Sequence, residues 1–401
     1  MSEEVAAPRL TPWRFVVVFG VVSLLMDVVY EGARSITGPL LASFGASGLV
    51  VGLVTGAGEA AALGLRLVSG PLADRTHRFW AWTIGGYVLT AASVPVLGFA
   101  GVLWAASALV IAERVGKAVR SPAKDTMVSH ATAVVGRGKG FAVHEAMDQV
   151  GALAGPLAVA GMLALTGDYG PSLAVLAVPG VAAVALLFWL RARVPRPEVY
   201  EPAAVAKERP TIAGSARLPR AFWTYATFTG ATMLGFTTFG LVSFHLVTDG
   251  LVTAAVVPLL YAAVMAADAV SALVTGWAYD RMGPRVLASL PVLSAGAVAL
   301  AFTSHVWVAV AGTLVWGAAL GIQESTLRAT VADLVPPARR ATAYGVFAAV
   351  LGAAAAVGGG LTGALYDASP RALVVTVVGI EAAALLLLLA LSRARAPGAQ
   401  A

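Results

Sequence analysis

The chain has no cysteine among its 401 residues. That excludes disulfides, thiolate metal sites and cysteine nucleophiles, without fixing the redox compartment. Charge is scarce too: Asp, Glu, Lys and Arg make up 12%, about half the share usual in a soluble globular protein. Histidine is limited to 5 residues, with no His-rich tail or loop to mark a resident metal. No Gly-x-Ser-x-Gly, His-Glu-x-x-His or phosphate-binding loop occurs, so neither catalysis nor a cofactor is expected. The net charge of +6 is not gathered on one patch. Lys and Arg stand between apolar runs instead, which argues against a nucleic-acid partner.

What is present is apolar surface. Hydrophobic residues make up 59% and the mean hydropathy is +0.83, the signature of a polytopic membrane protein. The length suits about twelve spans of roughly 20 residues with short loops. The runs fall near 14–42, 49–72, 80–100, 102–122, 140–165 and 170–190, then 221–246, 252–278, 286–304, 306–327, 342–366 and 372–392. The first follows a polar start with Glu3 and Glu4 and no small-residue cleavage site, so it reads as a retained span. Residues 191–220 are rich in Arg and Pro and read as a linker. The expected organisation is a six-helix bundle over 1–190, that linker, and a second six-helix bundle over 221–401 with a short tail.

Loop charges orient the spans. One set of loops carries Arg75, Arg78, Lys124, Arg137, Lys139, the linker cluster, Arg281, Arg285, Arg339, Arg340, Arg393 and Arg395; the opposite set carries only Arg371. Both termini are therefore expected in the cytoplasm.

A short charged turn occurs twice. Gly70-Pro-Leu-Ala-Asp74-Arg75-Thr-His77-Arg78 recurs as Gly276-Trp-Ala-Tyr-Asp280-Arg281-Met-Gly283-Pro-Arg285. A second echo links Arg120-Ser-Pro-Ala-Lys124-Asp125 and Gly155-Pro156 to Glu324-Ser-Thr-Leu-Arg328 and Gly359-Gly360. These repeats imply two related halves. The first turn resembles the Gly-x-x-x-Asp-Arg-x-Gly-Arg signature of the major facilitator superfamily, with His77 in place of the usual Gly. The resemblance covers essentially the whole chain. It implies an all-α fold of twelve transmembrane helices in two pseudo-symmetric bundles, working as a monomer. It also implies a conformational latch made by Gly70, Asp74, Arg75, Arg78 and Arg120, with Asp280 and Arg281 as the second copy. Arg114 and Gly151-Ala-Leu-Ala-Gly155-Pro156 resemble motifs of the drug:proton antiporters, the latter as a helix hinge. Gly116-Lys117-x-x-Arg120-x-Pro122-x-Lys124-Asp125 is similar to a bacterial facilitator branch that often carries an acidic pair in span 1, as Asp27 and Glu31 are here.

Ionisable groups inside a membrane are costly unless they face protein or water. In the first half they fall in span 1 (Asp27, Glu31, Arg34), span 2 (Glu59, Arg66), span 4 (Glu113, Arg114, Lys117) and span 5 (His144, Glu145, Asp148). In the facilitator fold these are the cavity-lining positions, whereas spans 3 and 6 face lipid. Glu381, in span 12, falls outside this pattern. Asp27, Glu31 and Arg34 stand at i, i+4 and i+7, on one stripe with Tyr30 alongside. Glu113 and Lys117 are spaced for a structural salt bridge. Acids outnumber Arg and Lys in these spans, and surplus carboxylates in a low-dielectric cavity can load and release protons. Asp27, Glu31 and Arg114 are therefore the expected proton-coupling set, with Glu59, Glu145 and Asp148 as secondary members.

The second half offers Asp268 and Glu324 as charges, with aromatics on spans 7, 8, 10 and 11. That composition suits an amphipathic substrate. Tyr30, Arg34, His144, Phe236, Phe239, Tyr261, Asp268, Gln323 and Glu324 are the expected substrate contacts. The resulting expectation is a proton-driven antiporter of the bacterial inner membrane that exports a small amphipathic compound, with protons and lipid as its other partners. Two alternatives stay open: a symporter or facilitator importing a polar or anionic solute, and a metal or metal-chelate exporter using His144, Asp148 and Asp27.

Overall fold

The computed structural model describes residues 10–200, 218–336 and 339–394. The expected linker charges Lys207, Arg209 and Arg217, together with Arg395, lie outside the described residues. So do the side chains of Arg137, Arg328, Arg340 and Arg393. The described chain is helical throughout, with no strand.

The first half contains α1 (Pro12–Ser43), α2 (Gly48–Gly64), α3 (Arg66–Thr76), α4 (Phe79–Leu97), α5 (Leu103–Val135), α6 (Arg137–Thr166), α7 (Tyr169–Ala174) and α8 (Ala177–Arg193). The second contains α9 (Arg220–Gly235), α10 (Phe239–Thr248), α11 (Val256–Met282), α12 (Ser289–Ala301), α13 (Val306–Leu334), α14 (Arg340–Ala368) and α15 (Pro370–Ala394). Among the described residues, ten stretches are long and apolar enough to cross a membrane by length and composition. One of them, Val256–Ala301, holds both α11 and α12, and the charged α5 completes twelve spans in two bundles of six. Spans 2, 6 and 7 are each built of two helices.

Local signals set the ends. Thr11 caps α1, accepting from the Arg14 amide at 3.4 Å, with Pro12 at the first helical position. Thr238 caps α10 in the same way, restarting span 7 after the break at 236–238. α5 runs well beyond the expected span, so Lys124 lies within a helix rather than in a loop. The turn after α3 departs from the family signature: His77 adopts φ 51°, the left-handed region that a glycine would enter freely.

An even number of spans puts both ends of the chain at one end of the molecule, the terminal end. The Tyr200 hydroxyl donates to the Leu10 carbonyl there at 2.7 Å, and its ring packs on Phe15. At the opposite end the two halves meet closely. Gly52 and Gly56 of α2 lie against Gly359 of α14, where any side chain would collide with backbone. Gly38 of α1 lies equally close to Gly240 of α10. The Asp367 carboxylate at the end of α14 accepts from the amides of Gly48 and Leu49 at 2.7 and 2.9 Å, tying the start of α2 to the other half.

Candidate functional site

Between the bundles lie two adjoining cavities. The first, of about 170 Å³, is polar. Its wall includes Asp27, Tyr30, Glu31, Lys117, Lys124, Glu145, Asp148 and Asp268. The second, of about 590 Å³, sits toward the terminal end. One wall carries Arg34, Glu59, Arg66 and Lys117, and the other Phe236, Trp316, Gln323, Tyr344 and Phe347. Arg34, Lys117, Leu320 and Glu324 line both.

The helical period of α1 creates the charged stripe, and the opposite face of α1 explains its position. Met26, Val29 and Ile36 are fully buried in the first bundle, leaving Asp27, Glu31 and Arg34 turned toward the second. Arg34 donates to Glu59 at 3.0 Å and lies 3.8 Å from Glu31. Arg114 lies 3.2 Å from Glu113 and 3.7 Å from Glu59. Two guanidinium groups thus share the Glu59 carboxylate. The Glu31 carboxylate accepts from the Tyr261 hydroxyl of the other half at 2.6 Å.

Lys117 departs from its expected role. Instead of pairing with Glu113, it donates to the Tyr30 hydroxyl at 2.6 Å and lies 3.9 Å from the centre of that ring. No carboxylate stands within salt-bridge distance of it among the described residues. The i,i+4 spacing allowed the Glu113 pair, but Arg114 took that partner.

The expected substrate contacts divide. Tyr30, Arg34, Asp268, Glu324, Phe236 and Gln323 line one or both cavities. Phe236 is stacked on Trp316 with centroids 5.2 Å apart. Phe239 and Tyr261 line neither of these two cavities, although Phe239 borders a smaller pocket with Arg34, Glu59 and Arg114. They pack on each other at 4.4 Å behind the wall, and Tyr261 spends its hydroxyl on Glu31. His144 is also set back, bonded to Ser23 at 3.3 Å and to Lys124 at 3.0 Å. It stands 3.9 Å from Asp148, but no group of three His, Asp or Glu among the described residues could hold a metal ion. Lys124 and Arg66, counted only as a loop charge and an intramembrane charge in the sequence, line the cavities. Helix continuation through Pro122 was the missing signal for Lys124.

Gly70 is partly buried, and Asp74, Arg75, Arg78, Asp280 and Arg281 are exposed at the terminal end. Asp74 forms no ion pair among the described residues. Arg120, its expected partner, is buried, donates to Thr90 at 2.7 Å and lies over the Tyr87 ring. Arg281 covers the Trp277 ring at 3.7 Å. Gly151 and Gly155 bring α6 onto α1: a side chain at either would collide with the Leu24 or Val28 carbonyl. Pro156 lies inside a continuous α6.

Twelve spans in two bundles around a charged cavity define a membrane transporter. The chain belongs to the Major Facilitator Superfamily, whose family model matches residues 19–266 and 243–401. An uncharacterized protein of Mycobacterium tuberculosis is 66% identical over 385 residues, covering 96% of this chain and 94% of its own. An uncharacterized MFS-type transporter of Methanocaldococcus jannaschii is 23% identical over 89% of each chain. Among solved structures, a bacterial homologue of the human lysosomal transporter Spinster, inward-facing and occupied, is similar with a TM-score of 0.75 at 15% identity, covering 96% of this chain and 98% of that one. A point mutant of the nucleoside transporter NupG gives 0.74 at 13%, covering 94% and 99%. At such identities these two structures support the fold alone.

Proposed function

We propose that this transporter is a proton-coupled antiporter of the bacterial inner membrane, with both termini cytoplasmic, that exports a small amphipathic organic compound. The supporting observation is the pair of adjoining cavities that share Arg34 and Lys117. One is rich in carboxylates; the other sets charge against aromatic surface, as an amphipathic molecule requires. When Asp27 and Glu31 are charged, they attract Lys117 and Arg34, the two cations that stand where the cavities meet. When they are protonated that attraction is lost, Arg34 rests on Glu59 alone, Lys117 turns toward Glu324, and the substrate is expelled. Arg114, held between Glu113 and Glu59, ties this exchange to α5. Rocking of the two halves would present the site to each side in turn, with the terminal-end turns at Asp74 and Asp280 as latches and Gly151, Gly155 and Pro156 as the seal of α6 on α1.

The test is transport by proteoliposomes under an imposed pH gradient, with fluorescent lipophilic probes of either charge. Asp27→Asn is expected to abolish proton-driven accumulation while leaving downhill exchange. Full proton-driven transport by that variant would remove Asp27 from the mechanism. One observation favours a second reading. Lys117 faces both cavities with no carboxylate at salt-bridge distance among the described residues, which suits an anionic solute carried with protons.

A further inference from the structure

Glu381 lies at the middle of α15, outside both cavities, and is 1% exposed. Both of its carboxylate oxygens are buried without a hydrogen-bond partner. No Arg, Lys or His approaches it within salt-bridge distance among the described residues. A carboxylate so placed is unfavourable unless something else satisfies it.

Its surroundings are unusual in one respect: it abuts the break in span 7. A side chain on Gly235 would stand 2.9 Å from Glu381 Oε1, so the glycine makes room for the carboxylate. The buried Thr232 hydroxyl stands beside this carboxyl, close enough to act on it but without a hydrogen bond of regular geometry. α9 ends at Gly235, and Phe236 turns extended (φ −77°, ψ 106°). The last carbonyls of α9 therefore lack the amides that a continuing helix would supply, at the negative end of its dipole.

We propose that Glu381, Thr232 and the terminal carbonyls of α9 bind a dehydrated sodium ion, at a site separate from the central cavity. Carboxylate, hydroxyl and carbonyl oxygens are the ligands a hard cation takes, and broken helices supply such carbonyls. The single carboxylate matches a single positive charge. A proton lets the carboxyl donate to one oxygen and accept from Thr232, whereas sodium engages the carboxylate, hydroxyl and several carbonyl oxygens together. The ion would brace the 236–238 segment. That segment stacks Phe236 on Trp316 and bonds Thr238 to Thr55 of the other half at 2.7 Å. Sodium occupancy is thereby linked to the wall of the larger cavity.

The experiment is thermal unfolding of the purified protein in lipid nanodiscs, in sodium chloride against choline chloride at constant ionic strength, with the pair of salts compared at two pH values. Sodium is expected to raise the unfolding temperature saturably, and choline is not. Glu381→Gln loses the shift, and Asp27→Asn keeps it. Thr232→Val, which keeps the carboxylate, raises the sodium concentration for half effect about tenfold, and carries the test if Glu381→Gln fails to fold. Equal shifts in both salts, no shift, a shift retained by Glu381→Gln, or a dependence on pH without sodium would each overturn the proposal.

Discussion

Arg34 and Arg114 both depend on Glu59, while Lys117 rests on a tyrosine hydroxyl and ring. Spacing identified these residues as neighbours on their helices, yet could not tell which cation would find a carboxylate, because the partners come from other helices. The same limit explains Phe239 and Tyr261: aromatic character was legible, but the face turned to the cavity depends on packing. The turn residue His77 was legible as a departure from the family signature, and the structure gives it a consequence. His77→Gly removes a side chain from the left-handed region and is expected to raise stability by about 1 kcal/mol. A higher unfolding temperature in detergent checks this; an unchanged or lower one contradicts it.

Helices α2 and α14 run antiparallel; Asp367 lies near the C-terminal end of α14, and Asp74 lies in α3, which continues the span of α2. Asp367 caps the start of α2 at the opposite end, while Asp74 is exposed at the terminal end and forms no ion pair among the described residues. The family resemblance implied the Asp74 latch, but nothing in the sequence marked Asp367, because its partners are backbone amides. Loss of this cap is expected to cost about 1 kcal/mol, and so to shift the balance between states roughly fivefold. The native absence of cysteine allows a clean reading. In an Asp367→Ala background, Val110→Cys, which lines a small pocket behind Arg34 and Glu59, should react several-fold faster with an impermeant maleimide added from the side opposite the termini. Equal rates with and without Asp367 would show that the cap does not hold that end closed.

For the whole molecule, the twelve spans were legible because apolar runs and loop charge are one-dimensional signals. Spans 2, 6 and 7 hid their breaks, since a composition window averages over a few non-helical residues such as 236–238. The charged stripe on α1 was legible from its period, and its isolation from lipid follows from the two bundles closing around it. The most direct test of proton coupling is the direction of probe flux in proteoliposomes as the imposed pH gradient is reversed. Exchange predicts that the probe always moves opposite to the protons and reverses with them. Movement in the same direction as the protons, or flux indifferent to the gradient, would contradict it.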